Sequence, residues 1–249
     1  MRFHLGFLKV FLMNYKCLYA NGDSWTEGDE IGGKYDYLNT PTVRYYNSWP
    51  WFLSQELNIG VCVNDGANGR SNYRIFRRTI KFIFEWIENG KKPSDLIIVN
   101  GWTTPERFEL PVIDKNGKGS YTHLLINMSS YDKYKYDSLT IDKINQFSNL
   151  FYELVDINEL DENMVNHMRI LRIITNYFGI TYFDFIAVGN HPNNIKLNYK
   201  DDFSNLFSKS FLNTVNENKW STYERKHPTI ETHKKWATLL KNFIDEYNL

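Results

Sequence analysis

The sequence has little cysteine and no excess of charge of either sign. Cys17 and Cys62 are its only cysteines, and two are too few for a disulfide framework. Both lie in apolar runs, so we expect them to be buried free thiols. Lys plus Arg and Asp plus Glu number 29 each, so the formal net charge is zero. Because proteins that bind nucleic acids usually carry an excess of Lys and Arg, we expect no nucleic-acid partner.

The sequence also has no long hydrophobic run. The N-terminal stretch MRFHLGFLKVFLM is interrupted by Arg2, His4 and Lys9, and no small-residue cleavage site follows it. We therefore expect no transmembrane segment, no signal peptide and no membrane partner, and predict a soluble, cytoplasmic protein. Residues 1–12 are interpreted as an N-terminal extension, because Met13 offers an alternative start.

Several motifs for cofactors and metals are missing. The chain has no Walker-type Gly-Lys-Ser/Thr and no G-x-G-x-x-G. No His, Cys and Asp set has zinc spacing, since His227 and His233 are six residues apart and off one helical face. Ser24 does not lie in a G-x-S-x-G nucleophile elbow, because Thr26 replaces the second glycine. We therefore expect no metal and no organic cofactor.

The sequence does contain an alternation of strand and helix patterns. Short apolar runs predict buried strands at 15–21, 60–65, 95–100 and 180–188. Helical patterns lie between and after them, at 48–57, 71–88, 140–178, near 202–212 and in the closing segment. This order predicts a parallel sheet with helices on both faces, in one domain spanning 1–249.

Two segments stand apart from this alternation. Residues 108–128 read as two extended arms around an NGKG turn and predict an inserted β-hairpin. The helix at 71–88 carries a basic stripe, which we interpret as a solvated face, made of Arg74, Arg77, Arg78 and Lys81.

Polar turns follow the first three predicted strands. Ser24, in NGDSW, comes directly after the first strand, and residues 66–69 and 101–107 come after the second and third. Functional groups of parallel α/β sheets gather at the carboxyl ends of the strands. This placement favours a nucleophilic Ser24 over an ordinary turn serine, although Gly-Asp-Ser is also common in turns.

A nucleophilic serine needs a base, usually histidine, and an acceptor that orients it. Among six histidines, His227 lies in the loop before the final helix, with Glu224 three residues upstream. We expect His227 to be the base and Glu224 to orient it. His191, in the loop GNHPNN, stays open as an alternative, and His233 is expected to pack or cap within the final helix. The glycine-bearing turn NDGANGRSN is expected to present amides to an oxyanion.

Four segments in order resemble the SGNH (GDSL-like) hydrolase superfamily: NGDSW, NDGANGRSN, VNGWTTPER and ERKHPTIETHKKWA. The resemblance implies an α/β fold, a flavodoxin-like three-layer α/β/α sandwich with a central five-stranded parallel sheet. It also implies Ser24 as nucleophile, with the amides of Ser24 and Gly69 as oxyanion donors. Two positions depart from the family pattern. Glu224 stands where aspartate is usual, and Thr103 stands where an asparagine normally donates the third hydrogen bond, so its shorter hydroxyl is expected to serve instead.

The resemblance implies a serine esterase or deacylase that acts on an ester-linked acyl group, with O-acetyl on a carbohydrate as the expected substrate. Asp23, Trp25, Trp102 and Arg107 are expected to contact that substrate, a small molecule or a glycan. The segments GWTTPERFE and GRSNYRI resemble a divergent branch found among phage and virus-associated proteins. A weakly active or inactive module that binds glycan or protein, and an O-acyltransferase with the same triad, remain alternatives. The sequence leaves the oligomeric state open.

Overall fold

The computed structural model describes residues 15–31, 40–113, 119–124, 138–189 and 205–247. The strands are β1 Cys17–Asn21, β2 Val61–Asn64, β3 Leu96–Trp102, β4 Phe108–Ile113, β5 Gly119–Leu124 and β6 Thr181–Ile186. The helices are α1 Ser24–Glu27, α2 Pro41–Asn47, α3 Trp49–Glu56, α4 Asn72–Glu88, α5 Ser138–Leu154, α6 Ile157–Phe178, α7 Phe211–Glu217 and α8 Ile230–Tyr247. The proposed extension at 1–12 lies outside the described residues.

The main sheet is parallel and has the strand order β2-β1-β3-β6. This confirms the predicted three-layer arrangement, but the expected fifth strand is not formed in the part of the chain that the structure describes. Among the described residues, the pairing beyond β6 is a parallel bridge between Asp184 and Leu206. Two backbone hydrogen bonds, Asp184 N to Asn205 O and Phe207 N to Asp184 O, join that segment to the sheet. The contact is too short to count as a paired strand.

The sheet separates two apolar cores, because alternate side chains of a strand point to opposite faces. Leu18 and Ala20 of β1 pack in the core beneath α3, α7 and α8, whereas Cys17 and Tyr19 pack beneath α4 and α6. Burial on both faces explains the unbroken apolar run of β3. Both cysteines are free and buried, as predicted, and burial raises the pKa of Cys17 to about 11 and of Cys62 to about 12.

The predicted helix over 140–178 is two helices, because the chain breaks at Val155 and Asp156. Asp156 then caps α6 by accepting a hydrogen bond from Asn158 N. Of the short helix expected near 202–212, residues 202–204 lie outside the described residues, and in the described part a helix begins only at Phe211 and runs to Glu217, capped by the Ser210 side chain. The inserted hairpin is confirmed where the structure describes it, since β4 and β5 pair antiparallel from Phe108–Leu124 to Ile113–Gly119.

The basic stripe on α4 is a solvated face only in part: Lys81 is exposed, as expected, whereas Arg74 is mostly buried. Arg74 and Arg78 both bind Asp65, which follows β2, with Arg74 Nη2 at 3.2 Å and Arg78 Nε at 2.8 Å from its carboxylate oxygens. Tyr19 also donates its hydroxyl to Asp65, at 2.8 Å. The β2–α4 connection places this carboxylate beneath the first turns of the helix. Lys81, further along, pairs with exposed Glu85.

A buried carboxylate, Asp184, lies in β6 between the sheet and α6. Its Oδ1 accepts hydrogen bonds from the Tyr182 hydroxyl and from Trp102 Nε1, both at 2.5 Å. Its Oδ2 is buried with no hydrogen-bond partner among the described residues. Burial raises the pKa of Asp184 to about 7, because the interior disfavours the ionised form.

Asp184→Asn is expected to change how stability depends on pH. Between the unfolded-state pKa of about 3.9 and the folded-state value of about 7, the folded protein holds a proton that the unfolded chain releases. The free energy of unfolding of the wild type therefore falls as the pH rises through this window. Asparagine cannot ionise, so the melting temperature of the variant should rise relative to wild type between pH 4.5 and pH 7.5. Parallel melting profiles across this range would contradict the prediction.

Candidate active site

Ser24 lies where β1 meets the short helix α1. Asp23 caps this helix, since its Oδ1 accepts a hydrogen bond from Trp25 N at 3.0 Å. Ser24 is the first helical residue, so its N–H has no intrahelical acceptor. It has none among the other described residues either. The strand and the cap thus hold the hydroxyl and the amide of Ser24 at the carboxyl edge of the sheet.

The structure brings Ser24 and His227 together across 203 positions of sequence. Ser24 Oγ lies 3.0 Å from His227 Nε2, which is hydrogen-bond distance. His227 comes from the loop before α8, and its side chain is 15% exposed. A proton can therefore pass directly from the hydroxyl to the imidazole.

The carboxylate that meets His227 is Glu30, and not Glu224 as the sequence analysis expected. Glu30 Oε2 lies 3.0 Å from His227 Nδ1, and the Glu30 side chain is only 5% exposed. The backbone N–H of Arg225 also donates to Glu30 Oε2, at 3.2 Å. Glu224 is exposed. The geometry therefore forms a Ser24–His227–Glu30 chain.

A tight turn explains why Glu224 does not face the imidazole. Lys226 N donates to Tyr223 O at 3.0 Å, and Tyr223 N donates to His227 O at 2.8 Å. Glu224 lies on the outside of this turn, whereas His227 lies at its closing end. The sequence offered one signal for the correct group, because WTEGDE places three carboxylates just after Ser24. Nothing in their spacing distinguishes Glu30 from the other two.

The backbone is left-handed at one residue of the Ser24–His227–Glu30 chain and directly before another. Glu30 itself has φ of 63°, and Lys226, directly before His227, has φ of 68°. Left-handed backbone costs a non-glycine residue about 1–2 kcal/mol, and such residues are concentrated at functional sites. The fold therefore tolerates this conformational cost at Glu30, which supplies the carboxylate, and directly before His227, which supplies the imidazole.

The glycine-bearing turn after β2 is fastened to the segment that follows Ser24. Asn68 N donates to Glu27 Oε2 at 2.6 Å, and Asn68 Nδ2 donates to Asp29 Oδ2 at 2.9 Å. The same Asp29 oxygen lies 3.9 Å from His227 Nε2, so the turn is next to the base. Gly69 follows with φ of 71°, in the left-handed region that favours glycine.

Arginine balances the acidic groups on this side of the site. Arg44 Nη1 lies 2.8 Å from Glu27 Oε1 and 3.5 Å from Asp29 Oδ1. Burial nevertheless raises the pKa of Glu27. The pair borders a cavity of about 250 Å³ whose lining residues are Glu27, Pro41, Arg44, Tyr45, Asn64 and Gly66.

The Thr103 hydroxyl, which the sequence analysis expected to be an oxyanion donor, donates its hydrogen bond inside the protein in this structure. Thr103 Oγ1 donates to Asp23 Oδ2 at 3.0 Å, and Thr103 N donates to Asn72 Oδ1 at 2.9 Å. A threonine hydroxyl has a single proton, and here that proton is used inside the protein. The side chain is therefore a structural support for Asp23 in this arrangement.

Three of the four expected substrate contacts are buried. Asp23 and Trp102 are fully buried, and Trp25 is 6% exposed and packs edge-on against Phe211. Trp102 belongs to β3, which continues past the predicted end of the strand, so its ring lies in the core. Only Arg107 keeps an accessible side chain, 15% exposed, with Nη1 at 3.0 Å from Asp23 Oδ2.

His233 lies in the core and not at the candidate site. His233 is fully buried in α8, and its Nδ1 accepts a hydrogen bond from Trp49 N at 3.3 Å. Burial lowers the pKa of His233 to about 3, so the ring is neutral. The prediction that it packs is confirmed. His191 lies outside the described residues.

Within the part of the chain that the structure describes, no helix combines the length and the apolar character that a membrane crossing requires. No group of three or more His, Cys, Asp or Glu side chains in the described ranges could hold a metal ion.

Residues 34–197, more than half of the chain, match a family of unknown function, DUF6071. The chain belongs to this family. The matched segment begins after Ser24 and Glu30 and ends before His227, so all three members of the Ser24–His227–Glu30 chain lie outside it. Comparison with curated proteins gives no match.

Solved structures share the fold of this DUF6071 chain at low identity. A carbohydrate esterase family 2 enzyme with a carbohydrate-binding domain, from Corynascus thermopiles (Myceliophthora fergusii), is 12% identical with a TM-score of 0.50. The alignment covers 93% of this chain and 66% of that one. A family two carbohydrate esterase from Clostridium thermocellum, in complex with cellohexaose, is 14% identical with a TM-score of 0.45. The alignment covers 93% of this chain and 64% of that one. A G-D-S-L family protein from Desulfitobacterium hafniense is 15% identical with a TM-score of 0.43. The alignment covers 93% of this chain and 99% of that one.

At such identity the likeness concerns the fold alone. The shared fold is a parallel sheet flanked by helices, and the carbohydrate esterase family 2 enzyme is similar to this chain in that fold. The chain spans about two thirds of the length of the carbohydrate esterases.

Proposed function

We propose that this protein is a serine esterase or deacylase with a triad of Ser24, His227 and Glu30. The observation that supports this most directly is the continuous chain of contacts. Ser24 Oγ lies 3.0 Å from His227 Nε2, and His227 Nδ1 lies 3.0 Å from Glu30 Oε2. Serine hydrolases on unrelated folds are recognised by this geometry and by these roles.

In the proposed reaction, Ser24 Oγ attacks the carbonyl carbon of the ester while His227 Nε2 takes the hydroxyl proton. Glu30 accepts the hydrogen bond from His227 Nδ1–H, fixes the tautomer and stabilises the imidazolium. The N–H groups of Ser24 and Gly69 bind the tetrahedral oxyanion. As the intermediate collapses, the alcohol leaves with the proton from His227. Water then hydrolyses the acyl-enzyme by the same route, and no metal or cofactor takes part.

We further propose an O-acetyl ester of a carbohydrate as the substrate. The fold shared with a carbohydrate esterase motivates this choice, because the substrate of that enzyme class is a glycan ester. The cavity lined by Glu27, Arg44 and Asn64 also supports it, because these residues carry polar groups that can bind sugar hydroxyls. The resemblance to phage-associated proteins and the absence of nucleic-acid or membrane partners stay predictions from the sequence.

A weakly active binding module is the second candidate, and the Thr103 contact favours it. The hydroxyl that was expected to stabilise the oxyanion donates to Asp23 instead. Loss of one oxyanion donor typically lowers the rate by about 100-fold or more. An O-acyltransferase would use the same triad and differ only in the acceptor of the acyl group.

A fluorophosphonate probe tests the proposed nucleophile. Wild type is expected to be labelled once, at Ser24, because His227 activates that hydroxyl, and Ser24→Ala is expected to remain unlabelled. Ser208→Ala removes an exposed hydroxyl from another segment and is the matched control. Mass spectrometry of the intact protein and of its peptides locates the label. An unlabelled wild type, or equal labelling of Ser24→Ala, would exclude the esterase.

A panel of acetylated sugars divides the remaining candidates. Release of acetate to water supports hydrolysis, and appearance of the acetyl group on an added sugar supports transfer. Binding of the sugars without turnover, together with no labelling of Ser24, supports the binding module.

A further inference from the structure

The carboxylate of Asp23, next to the proposed nucleophile, accepts hydrogen bonds from two side-chain donors. Its Oδ2 accepts hydrogen bonds from Thr103 Oγ1 and from Arg107 Nη1, each at 3.0 Å. Asp23 is the residue directly before Ser24, so the guanidinium is held close to the reacting hydroxyl by a short covalent path. The contact uses up the Thr103 proton, but it uses only part of what Arg107 can donate.

The anchor of Arg107 is rigid. The Asp23 side chain is fully buried, and its other oxygen accepts the hydrogen bond from Trp25 N that caps α1. The carboxylate therefore cannot turn away without losing the cap and the Thr103 contact. On the other side, Arg107 N donates to Thr104 O at 3.3 Å, which closes a turn that contains Pro105. Both ends of the arginine are held.

Part of the guanidinium remains available for a ligand. Within the described ranges, Nη1 on Asp23 is the one side-chain hydrogen bond of Arg107. Its Nε and Nη2 are not among the buried unsatisfied atoms, and the side chain is 15% exposed. These N–H groups are therefore accessible from the solvent, on a guanidinium that is bound to the residue directly before Ser24.

We propose that Arg107 donates the third oxyanion hydrogen bond and is a catalytic residue of this site. The proposal rests on the esterase function above. At rest the Asp23–Arg107 pair is neutral overall, so a neutral ester meets little net charge. When Ser24 attacks, the negative charge on the carbonyl oxygen meets a charged donor that is already oriented, and such hydrogen bonds are stronger than neutral ones. Arg107 keeps all its protons throughout, and no bond to it forms or breaks.

Two other roles of Arg107 are outcomes of the test. As an anchor for a substrate carboxylate, it would contribute to the KM of acidic esters and leave the turnover of neutral esters unchanged. As a counterion for buried Asp23 alone, it would contribute to stability and to no kinetic parameter.

The test compares Arg107→Gln and Arg107→Lys with wild type, using a neutral aryl acetate and a trifluoromethyl ketone. The ketone adds to Ser24 and forms a stable oxyanion, so its affinity reports oxyanion stabilisation apart from turnover. Arg107→Gln is expected to lower kcat by about 100-fold with little change in KM, and to weaken the ketone by a similar factor. Arg107→Lys keeps the charge and is expected to lie between. Lys81→Gln, which removes an exposed cation on α4, should match wild type.

Each result decides the proposal. Unchanged kcat and ketone affinity in a folded Arg107→Gln would overturn it, as would a loss confined to the KM of carboxylate-bearing esters. If Arg107→Gln does not fold, Arg107→Lys decides, because a lysine can still pair with Asp23; wild-type ketone affinity in that variant would overturn the proposal. Fluorophosphonate labelling distinguishes failure of the Arg107 proposal from failure of the esterase proposal. A labelled wild type with fully active Arg107 variants removes only the role of Arg107, whereas an unlabelled wild type removes the esterase itself.

Discussion

Glu30→Gln is expected to lower kcat/KM for an acetyl ester by about 10⁴-fold, while Glu224→Gln keeps nearly all activity. Glu30 Oε2 accepts from His227 Nδ1 at 3.0 Å and is almost fully buried. A glutamine there can present its NH₂ group to Nδ1, which would stabilise the tautomer with the proton on Nε2. That tautomer cannot take the Ser24 proton. The amide also lacks the charge that stabilises the imidazolium.

The two glutamine variants form a matched pair, since they change the same chemical group at two candidate positions. Steady-state kinetics with an aryl acetate measure the loss, and circular dichroism with thermal melting checks that both variants fold. Glu30→Asp is a third variant and is expected to recover part of the activity, because it restores the charge at a longer distance from Nδ1. A large loss in Glu224→Gln with an active Glu30→Gln would restore the assignment made from the sequence.

Asp65→Ala is expected to lower the free energy of unfolding by about 3 kcal/mol. The carboxylate binds Arg74 and Arg78 of α4 and accepts the hydroxyl of Tyr19. Its side chain is 14% exposed, and that of Arg74 is 12% exposed. Alanine therefore leaves a mostly buried guanidinium and a buried phenol without their acceptor, which costs more than the pair itself contributes.

Urea unfolding measures this change, and Glu85→Ala is the control on the same helix. Glu85 pairs with Lys81 where both side chains are more than half exposed, so its loss should cost no more than about 0.5 kcal/mol. Equal effects of Asp65→Ala and Glu85→Ala would contradict a buried role for Asp65.

The Asp65 contribution should also depend on pH. Burial raises the pKa of Asp65, but the contacts with Arg78, Arg74 and Tyr19 outweigh it, and the folded-state pKa is lowered. The stabilisation is then complete above the unfolded-state value of about 3.9 and is lost as the pH falls toward the folded-state pKa. The difference between wild type and Asp65→Ala should shrink in acid.

Local patterns were sufficient for most of the fold. The apolar runs that became β1, β2, β3 and β6 were visible in the sequence, because a strand covered on both faces needs an unbroken apolar segment. The fifth strand came from family resemblance, and residues near Leu206 form only a bridge. The helical pattern at 140–178 did not reveal the break, because the break consists of only two residues, Val155 and the capping Asp156. Element boundaries depend on such single residues more than on periodicity.

The residues of the candidate site likewise fall into those that the sequence could predict and those that it could not. Ser24 and His227 could be predicted, because each follows or precedes a recognisable element and the ends of parallel strands meet at one edge. Glu30 could not, because Glu27 and Asp29 follow Ser24 in the same short segment and nothing in their spacing distinguishes the three carboxylates. Trp102 was expected at the substrate and lies in the core, because β3 runs two residues beyond the predicted strand.

By itself, then, the sequence determined the parallel sheet, the two-sided core and the edge at which Ser24 meets His227. These features follow from the order of apolar segments and from the polar turns after them. The three-dimensional contacts were needed to show which carboxylate meets His227, which side chain accepts from the Thr103 hydroxyl, and where the Arg107 guanidinium is held. Each of those depends on distances of about 3 Å between side chains from separate turns, and the periodicity of no single segment carries that information.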